Sequence, residues 1–223
     1  MMRLTPEVIL RAYAGGVFPM AETADSAELH WFEPRLRGIL PLERFHVARS
    51  VARARRRGGF GFSCDGDFRG LMTACADRPV TWINAEIFAV FGALHDLGLA
   101  HSVEVRTPCG ALAGGVYGLA LGGAFFAESM VSPVTGGSKM ALAELVTRLR
   151  RGGFRLLDTQ YLTPHLASLG GIEIPQARYR ALLAAALATE ADPARAFAPV
   201  NPGAPDGAFW SKKAVNRQVA DHE

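Results

Sequence analysis

Hydrophobic positions along this chain recur at two spacings, and glycines mark most of the places where one spacing gives way to the other. Thr5-Pro6-Glu7 predicts a helix start, with Thr as the cap and Pro at the first helical position, and Gly15-Gly16 predicts its end. VFPMAETADSAELHWF follows neither period and predicts irregular chain, with Trp31 and Phe32 starting an extended stretch towards Ile39-Leu40. FHVARSVARARRRGG predicts a short helix closed by Gly58-Gly59, and FGFSCD a strand, after which Asp65 caps a helix running through Cys75. From Asn84 to Leu97 the pattern is helical, because Ile87, Val90, Phe91 and Leu94 share one face and Gly98 stops it.

Three strand-like runs follow, HSVEVR, ALAGGVYGLAL and GAFFAES, with glycines at the turns between them. Ser138 to Arg150 is helical again, and Met140, Leu142, Leu145 and Leu149 are available for a buried face. Phe154 to Leu157 predicts a short strand and Pro175 to Leu187 a last helix. From Ala191 onward Pro193, Pro199, Pro202 and Pro205 predict a mobile tail to the end of the chain. Consecutive strands beside separate helices imply an α+β sheet domain rather than a regularly alternating βαβ protein.

The chain of 223 residues suits one domain of ordinary size with room for a small appendage, and 49% hydrophobic residues are ample for a core. No apolar run approaches the roughly 20 residues of a bilayer span, and the N-terminus lacks a continuous apolar segment followed by a cleavage site. Cys64, Cys75 and Cys109 cannot all pair, and none has metal-binding spacing, so a reduced, cytoplasmic, metal-free protein is implied. A monomer is the simplest state, since no coiled-coil pattern is present. Net charge is only +3, but arginines cluster at 49–57 and again at 148–155. Local basic clusters on a nearly neutral chain point to a polyanionic partner.

The chemistry concentrates in a few places. At 100° per residue, Arg49, Arg53, Arg56 and Arg57 form one stripe while Val47, Val51 and Ala54 face the other way. That stripe is either a solvated face or a phosphate-binding one, for which guanidinium groups are suited. Glu128 ends the apolar run GGAFFAES, where a carboxylate is costly unless paired or open to a cleft. Asp158 and Gln160 lie two apart at the end of another strand, so they share a side. A carboxylate can fix which way a neighbouring carboxamide points, and the amide can then orient a nucleophile. TGGSK precedes a helix without matching a phosphate-loop signature, leaving weak anion binding at the helix N-terminus. No GxSxG surrounds Ser129 or Ser168.

Taken in order, GGVFPM, HWFEPRLRGILP, FHVARS, TWIN, LHDLGLAHSVEV, LAGGVYGLALGGAFFAESMVS and LLDTQYLTPHLASLGGIEIP resemble the leucyl/phenylalanyl-tRNA–protein transferase family. The likeness spans about Pro6 to Leu187. It implies an enzyme that takes Leu, Phe or Met from aminoacyl-tRNA and joins it to the α-amino group of proteins beginning with Arg or Lys, marking them for bacterial N-degron proteolysis. It also implies an N-acetyltransferase-like domain of the acyl-CoA N-acyltransferase superfamily at 33–190, a truncated N-terminal subdomain at 1–32 and the tail at 191–223.

By the same resemblance, Asp158 and Gln160 orient and help deprotonate the attacking amine, and Glu128 is the acidic wall that suits a basic acceptor. Trp82, Phe125, Leu145 and Met20 line the pocket for the donor's side chain and adenosine, with Met20 and Leu145 standing where relatives carry aromatics. Arg49, Arg53, Arg56 and Arg57 contact the tRNA acceptor stem. The donor ester is already activated, so no cofactor is required. A shifted donor or acceptor preference on the same fold, a CoA-dependent N-acetyltransferase and a non-catalytic RNA-binding module are the competing readings. If the arginine stripe grips phosphates, aminoacyl-tRNA binding should weaken steeply between low and moderate salt. Filter-binding titrations that stay flat across that range would refute the stripe's role.

Overall fold

Thr5 caps the first helix, α1 (Pro6–Ala14), by accepting the Val8 amide on its hydroxyl, and Pro6 sits in the first turn where no donor is needed. The computed structural model describes residues 4–47, 51–54 and 59–199. After α1 come the hairpin β1 (Phe18–Ala21) and β2 (Leu29–Phe32), β3 (Leu36–Ile39), a short 3-10 turn, β4 (Gly61–Cys64), α2 (Phe68–Ala76) and α3 (Ala85–Asp96). The centre of the chain supplies β5 (Ala100–Arg106), β6 (Leu112–Leu121), β7 (Ala124–Val131) and α4 (Gly137–Arg151). β8 (Leu156–Gln160), α5 (Pro164–Ala167), β9 (Ile172–Pro175), α6 (Gln176–Leu187) and α7 (Pro193–Phe197) complete it.

Seven strands form one sheet in the order β4-β5-β6-β7-β8-β3-β9. Every neighbouring pair is antiparallel except β7 and β8, which run parallel. Alternate residues feed two cores on opposite faces. Val116, Ala120, Phe125 and Ala127 pack under α4, with Leu142, Leu145 and Leu149. Tyr117, Leu119, Ala124 and Phe126 pack against residues of α1, α2, α3 and α6. Because both faces are covered, β6 is apolar along nearly its whole length and shows no polar alternation.

The α+β reading of the sequence is therefore met by a mixed sheet with helices on both faces. Four local expectations differ from it. The stretch read as irregular contains the β1–β2 hairpin, whose pairing runs from Phe18–Phe32 to Ala21–Leu29. β8 begins at Leu156, not Phe154, and continues to Gln160. β9 was absent from the pattern because four residues at a sheet edge are too few to show a period. Asp67, not Asp65, caps α2 by accepting the Gly70 amide, whereas Asp65 accepts the Ser102 amide and meets the His101 ring.

Both ends of the described chain are tied into the body. Ile9, Tyr13 and Phe18 belong to the same core as Phe91, Phe126 and Tyr179, so α1 and the hairpin have no separate core of their own. The tail expected from Ala191 begins instead with a packed helix. Phe197 of α7 lies on the His101 ring at 4.0 Å and also meets Phe125 and Phe154. The buried Arg148 of α4 donates to the Ala196 and Ala198 carbonyls, which secures the turn after α7. Residues from 200 onward lie outside the described ones, as do Arg49, Arg56 and Arg57. Residues 51–54 are helical, with Val51 and Ala52 buried, Ala54 intermediate and Arg53 exposed.

Removing the Phe197 ring leaves a cavity between β5, β7 and α4. Phe197→Ala is expected to cost about 3–5 kcal/mol in urea denaturation, and a loss under about 1 kcal/mol would mean that α7 is only loosely docked.

Candidate active site

β7 and β8 pair only at Ala124–Leu156, Phe125–Leu157 and Phe126–Asp158. Past that point each strand carries an extra residue relative to its other neighbour. On β7, Glu128 falls between the pairs Gly118–Ala127 and Tyr117–Ser129, which are consecutive on β6. On β8, Thr159 falls between Ile39–Asp158 and Gly38–Gln160. Such bulges bend a strand and re-aim the inserted residue. Here they turn the ends of the two parallel strands towards a shared cavity of about 510 Å³, which also touches β1, the loop from Arg78 to Trp82 and the start of α4.

The floor of this cavity is built on an ion pair. Asp158 is fully buried and Arg37, on β3, is 1% exposed. Arg37 Nε lies 3.0 Å from Oδ1 and Nη2 lies 2.7 Å from Oδ2, a forked contact across the β3–β8 pair. Arg37 Nη1 donates to the Gly16 carbonyl at 2.9 Å, and the Phe18 and Tyr179 rings lie against the guanidinium at 4.6 and 4.5 Å. The Tyr179 hydroxyl donates to Asp158 at 2.6 Å, and the Gln160 amide donates to it at 2.8 Å. Burial draws the Arg37 pKa down, but the hydrogen bond and the charge of Asp158 outweigh it and hold the guanidinium above its ordinary value. Burial, and then Asp158, push the Tyr179 hydroxyl well up, so it stays a donor.

Both oxygens of Asp158 are thus engaged by donors. What it does is hold Gln160, whose φ of 56° places a non-glycine residue in the left-handed region. Opposite it, Gly38 is required: a Cβ there would come within 2.5 Å of the Tyr161 carbonyl carbon. With the backbone so fixed, Gln160 Nε2 donates to Glu128 Oε1 at 3.2 Å across the gap between the strands. The amide oxygen is left to accept from whatever enters the cavity.

Glu128 lines the cavity and is half-buried there. Burial pushes its carboxyl up to about 8; the nearby Tyr13 hydroxyl opposes this, Asp158 adds to it, and Arg37 and Gln160 pull it back. The Tyr13 hydroxyl faces this carboxylate without a well-aligned hydrogen bond. His165, near the start of α4, is lowered by burial and by Lys139, and its Nε2 is 3.5 Å from the Ser138 hydroxyl. Among the described residues, no group of three or more His, Cys, Asp or Glu is placed to hold a metal ion.

Of the residues singled out in the sequence, Glu128, Gln160, Met20 and Trp82 line the cavity together. Asp158 stands behind them. Phe125 and Leu145 do not reach it. Both are buried in the core beneath α4, because strand alternation turns Phe125 to that face and α4 turns Leu145 inward to meet it. Arg37, Tyr13, Tyr179 and Arg78 were not singled out. Arg37 sits in a run of alternating charge and apolar residues that reads as ordinary strand, and the two tyrosines sit on helix faces that read as core.

A family model described as leucyl/phenylalanyl-tRNA protein transferase matches residues 39–184, and one for the N-terminal domain of the same family matches residues 2–35. The leucyl/phenylalanyl-tRNA–protein transferase of Cereibacter sphaeroides is 58% identical over 196 residues, covering 88% of this chain and 89% of that one. The protein of the same name from Ruegeria pomeroyi is 54% identical over 206 residues, covering 92% and 96%. Among solved structures, FemX covers 79% of this chain and 71% of its own with a TM-score of 0.48 at 12% identity, too distant to carry an argument about the site.

The Glu128 carboxyl, ordinarily near 4.5, is held at about 8 in the folded chain. The folded state therefore keeps a proton that the unfolded state has lost, and stability falls as pH rises across that interval, by at most about 1.4 kcal/mol per unit. Water in the cavity tempers the effect. Glu128→Gln removes the titration, so the stability lost between pH 5 and pH 8 should shrink. Equal losses for the two chains in urea melts would show that Glu128 is not held protonated.

Proposed function

The chain belongs to the leucyl/phenylalanyl-tRNA–protein transferase family, and we propose that it moves Leu, Phe or Met from aminoacyl-tRNA to the α-amino group of proteins that begin with Arg or Lys, marking them for N-degron proteolysis. The observation that supports this best is the Glu128–Gln160 contact, made in a cavity opened by the parting of two parallel strands. The reading needs an amine aligned against an ester carbonyl, and positioning supplies much of such an acceleration.

In this reading the amine enters beside Gln160 and Glu128. The Gln160 carboxamide oxygen accepts one amine hydrogen, its direction set by the bond from Nε2 to Glu128. The nitrogen attacks the ester carbonyl, the new C–N bond forms, and the C–O bond to the ribose breaks, leaving the ribose hydroxyl. The proton lost by nitrogen ends on the leaving ribose oxygen, either directly or by way of the Glu128 carboxylate, which takes it up and hands it on. An α-ammonium group titrates at about 7.7–8.0, close to the value of about 8 for Glu128, so the transfer between them is nearly level. Asp158 is a positioning residue that acts through the Gln160 backbone.

Trp82 and Met20, which line the same cavity as Glu128, form the donor pocket in this proposal. An apolar wall of this kind admits Leu, Phe and Met with little discrimination, since a methylene is worth only about 1–3 kcal/mol. Arg53 is an exposed contact for the acceptor stem. The N-acetyltransferase-like reading of the fold is supported by the mixed sheet whose parallel pair diverges at the site. A tRNA-borne donor implies a cytoplasmic enzyme. Among the described residues no helix is long and apolar enough to cross a membrane.

The test is transfer of labelled Phe or Leu from charged tRNA to peptides that differ only in their first residue. Arg and Lys peptides should be modified and Asp and Glu peptides not. Folded Glu128→Gln and Gln160→Ala variants should lose about 100-fold or more in kcat/KM. Acetyl transfer from acetyl-CoA with none from charged tRNA would sink the proposal, and a Gln160→Ala variant working at the parent rate would remove the site assignment.

A further inference from the structure

Glu128 gives the cavity an acidic group, and the lining also holds the opposite charge. Of the described residues lining it, only Arg78 carries a permanent positive charge. Arg78 follows the end of α2 and leads, through Pro79, into the loop that carries Trp82. Arg78 is exposed, but its guanidinium is anchored at two points. Nε donates to the Cys75 carbonyl at 2.7 Å and Nη2 donates to the Ser129 hydroxyl on β7. These two anchors fix the plane of the guanidinium across the gap between α2 and β7, and Nη1 has no partner among the described residues.

A basic acceptor cannot be what this group recognises, because like charges repel. The proposed acceptor is drawn to Glu128, and an α-ammonium or a basic side chain placed against Arg78 would be repelled and desolvated together. The donor is the partner with the complementary charge. Its terminal nucleoside carries the ester, and the first anionic group encountered along the chain is the phosphodiester on the 5′ side of that nucleoside. A guanidinium with an open edge, held rigid on one side, is suited to a phosphate oxygen. Trp82 is four positions along the same loop and also lines the cavity, so one loop contributes both an aromatic ring and a cation to the lining.

We propose that Arg78 receives the phosphodiester that enters the 3′-terminal nucleotide of the donor, and that it sets how far the ester reaches towards Glu128. This assignment rests on the transfer reaction proposed above. It makes Arg78 a positioning residue for the donor, so that the cavity holds a cation for the donor as well as a carboxyl for the acceptor. The anchor on Ser129 ties Arg78 to the bulge that aims Glu128, since Ser129 and Glu128 are adjacent on β7.

The experiment compares two minimal donors with one Arg-initiated peptide: 3′-phenylalanyl-adenosine, and the same ester on adenosine 5′-phosphate. The quantity read is the ratio of kcat/KM for the phosphate-bearing donor to that for the plain nucleoside. For the parent chain the ratio should be roughly tenfold to hundredfold, as expected of a hydrogen-bonded charge pair. In Arg78→Gln it should fall to within about twofold of one, and Arg78→Lys should keep part of it. A parent ratio near one overturns the proposal. So does an unchanged ratio in Arg78→Gln, including the case in which both donors lose rate equally, because that assigns Arg78 only to holding its loop on β7. Failure of the parent to use either ester while it acetylates the peptide from acetyl-CoA would instead overturn the transfer reaction, and this assignment with it.

Discussion

The buried pair of Arg37 and Asp158 is the contact on which the rest of the site depends. Two full charges out of water are tolerated only if each is met on every side, and here the neighbours that meet them are the same ones that shape the cavity. Gly16 brings the end of α1, Phe18 brings the hairpin, Tyr179 brings α6, and the Gln160 amide brings the end of β8. A single ion pair therefore gathers four pieces of chain to one point. Satisfying it and building the floor of the cavity are one event.

From that point the geometry of the strands does the rest. β7 and β8 hold together for three residue pairs and then separate, each with one extra residue at the place of separation. Parallel strands inside a sheet normally leave no room between them. Two bulges facing one gap create room without leaving a buried strand edge unserved, because the groups that lose a partner face a cavity open to water. They also set apart a carboxylate with a raised pKa and a carboxamide in a left-handed turn, groups that regular strands would have turned into the cores.

The two ends of the described chain have parallel tasks. α1 places Tyr13 beside Glu128 and closes the core on one face of the sheet. α7 closes the other face with Phe197, and the buried Arg148 secures it through main-chain carbonyls. Neither segment is a separate unit, and both contribute to the rigidity that a positioning mechanism requires.

The sequence by itself determined the helices with clear caps, the three central strands and the residue types that carry the chemistry. These are local properties: Thr5 and Asn84 cap through their own neighbours, and Glu128 and Gln160 are conspicuous as polar groups at the ends of apolar runs. It also identified the family, because the order of many short motifs survives without knowledge of their contacts. Only the tertiary structure decided which of those groups meet. Asp158 and Gln160 share a strand end in the sequence, yet one is saturated by Arg37 and Tyr179 while the other reaches Glu128. Phe125 and Leu145 fit a pocket as well as a core in composition, and strand alternation and helix facing put them in the core. Arg37 lies 121 positions from its partner, and Arg78 lies 51 from Ser129. Periodicity reports the face on which a residue sits, and contact across such separations is set only by the pairing of strands far apart in the chain.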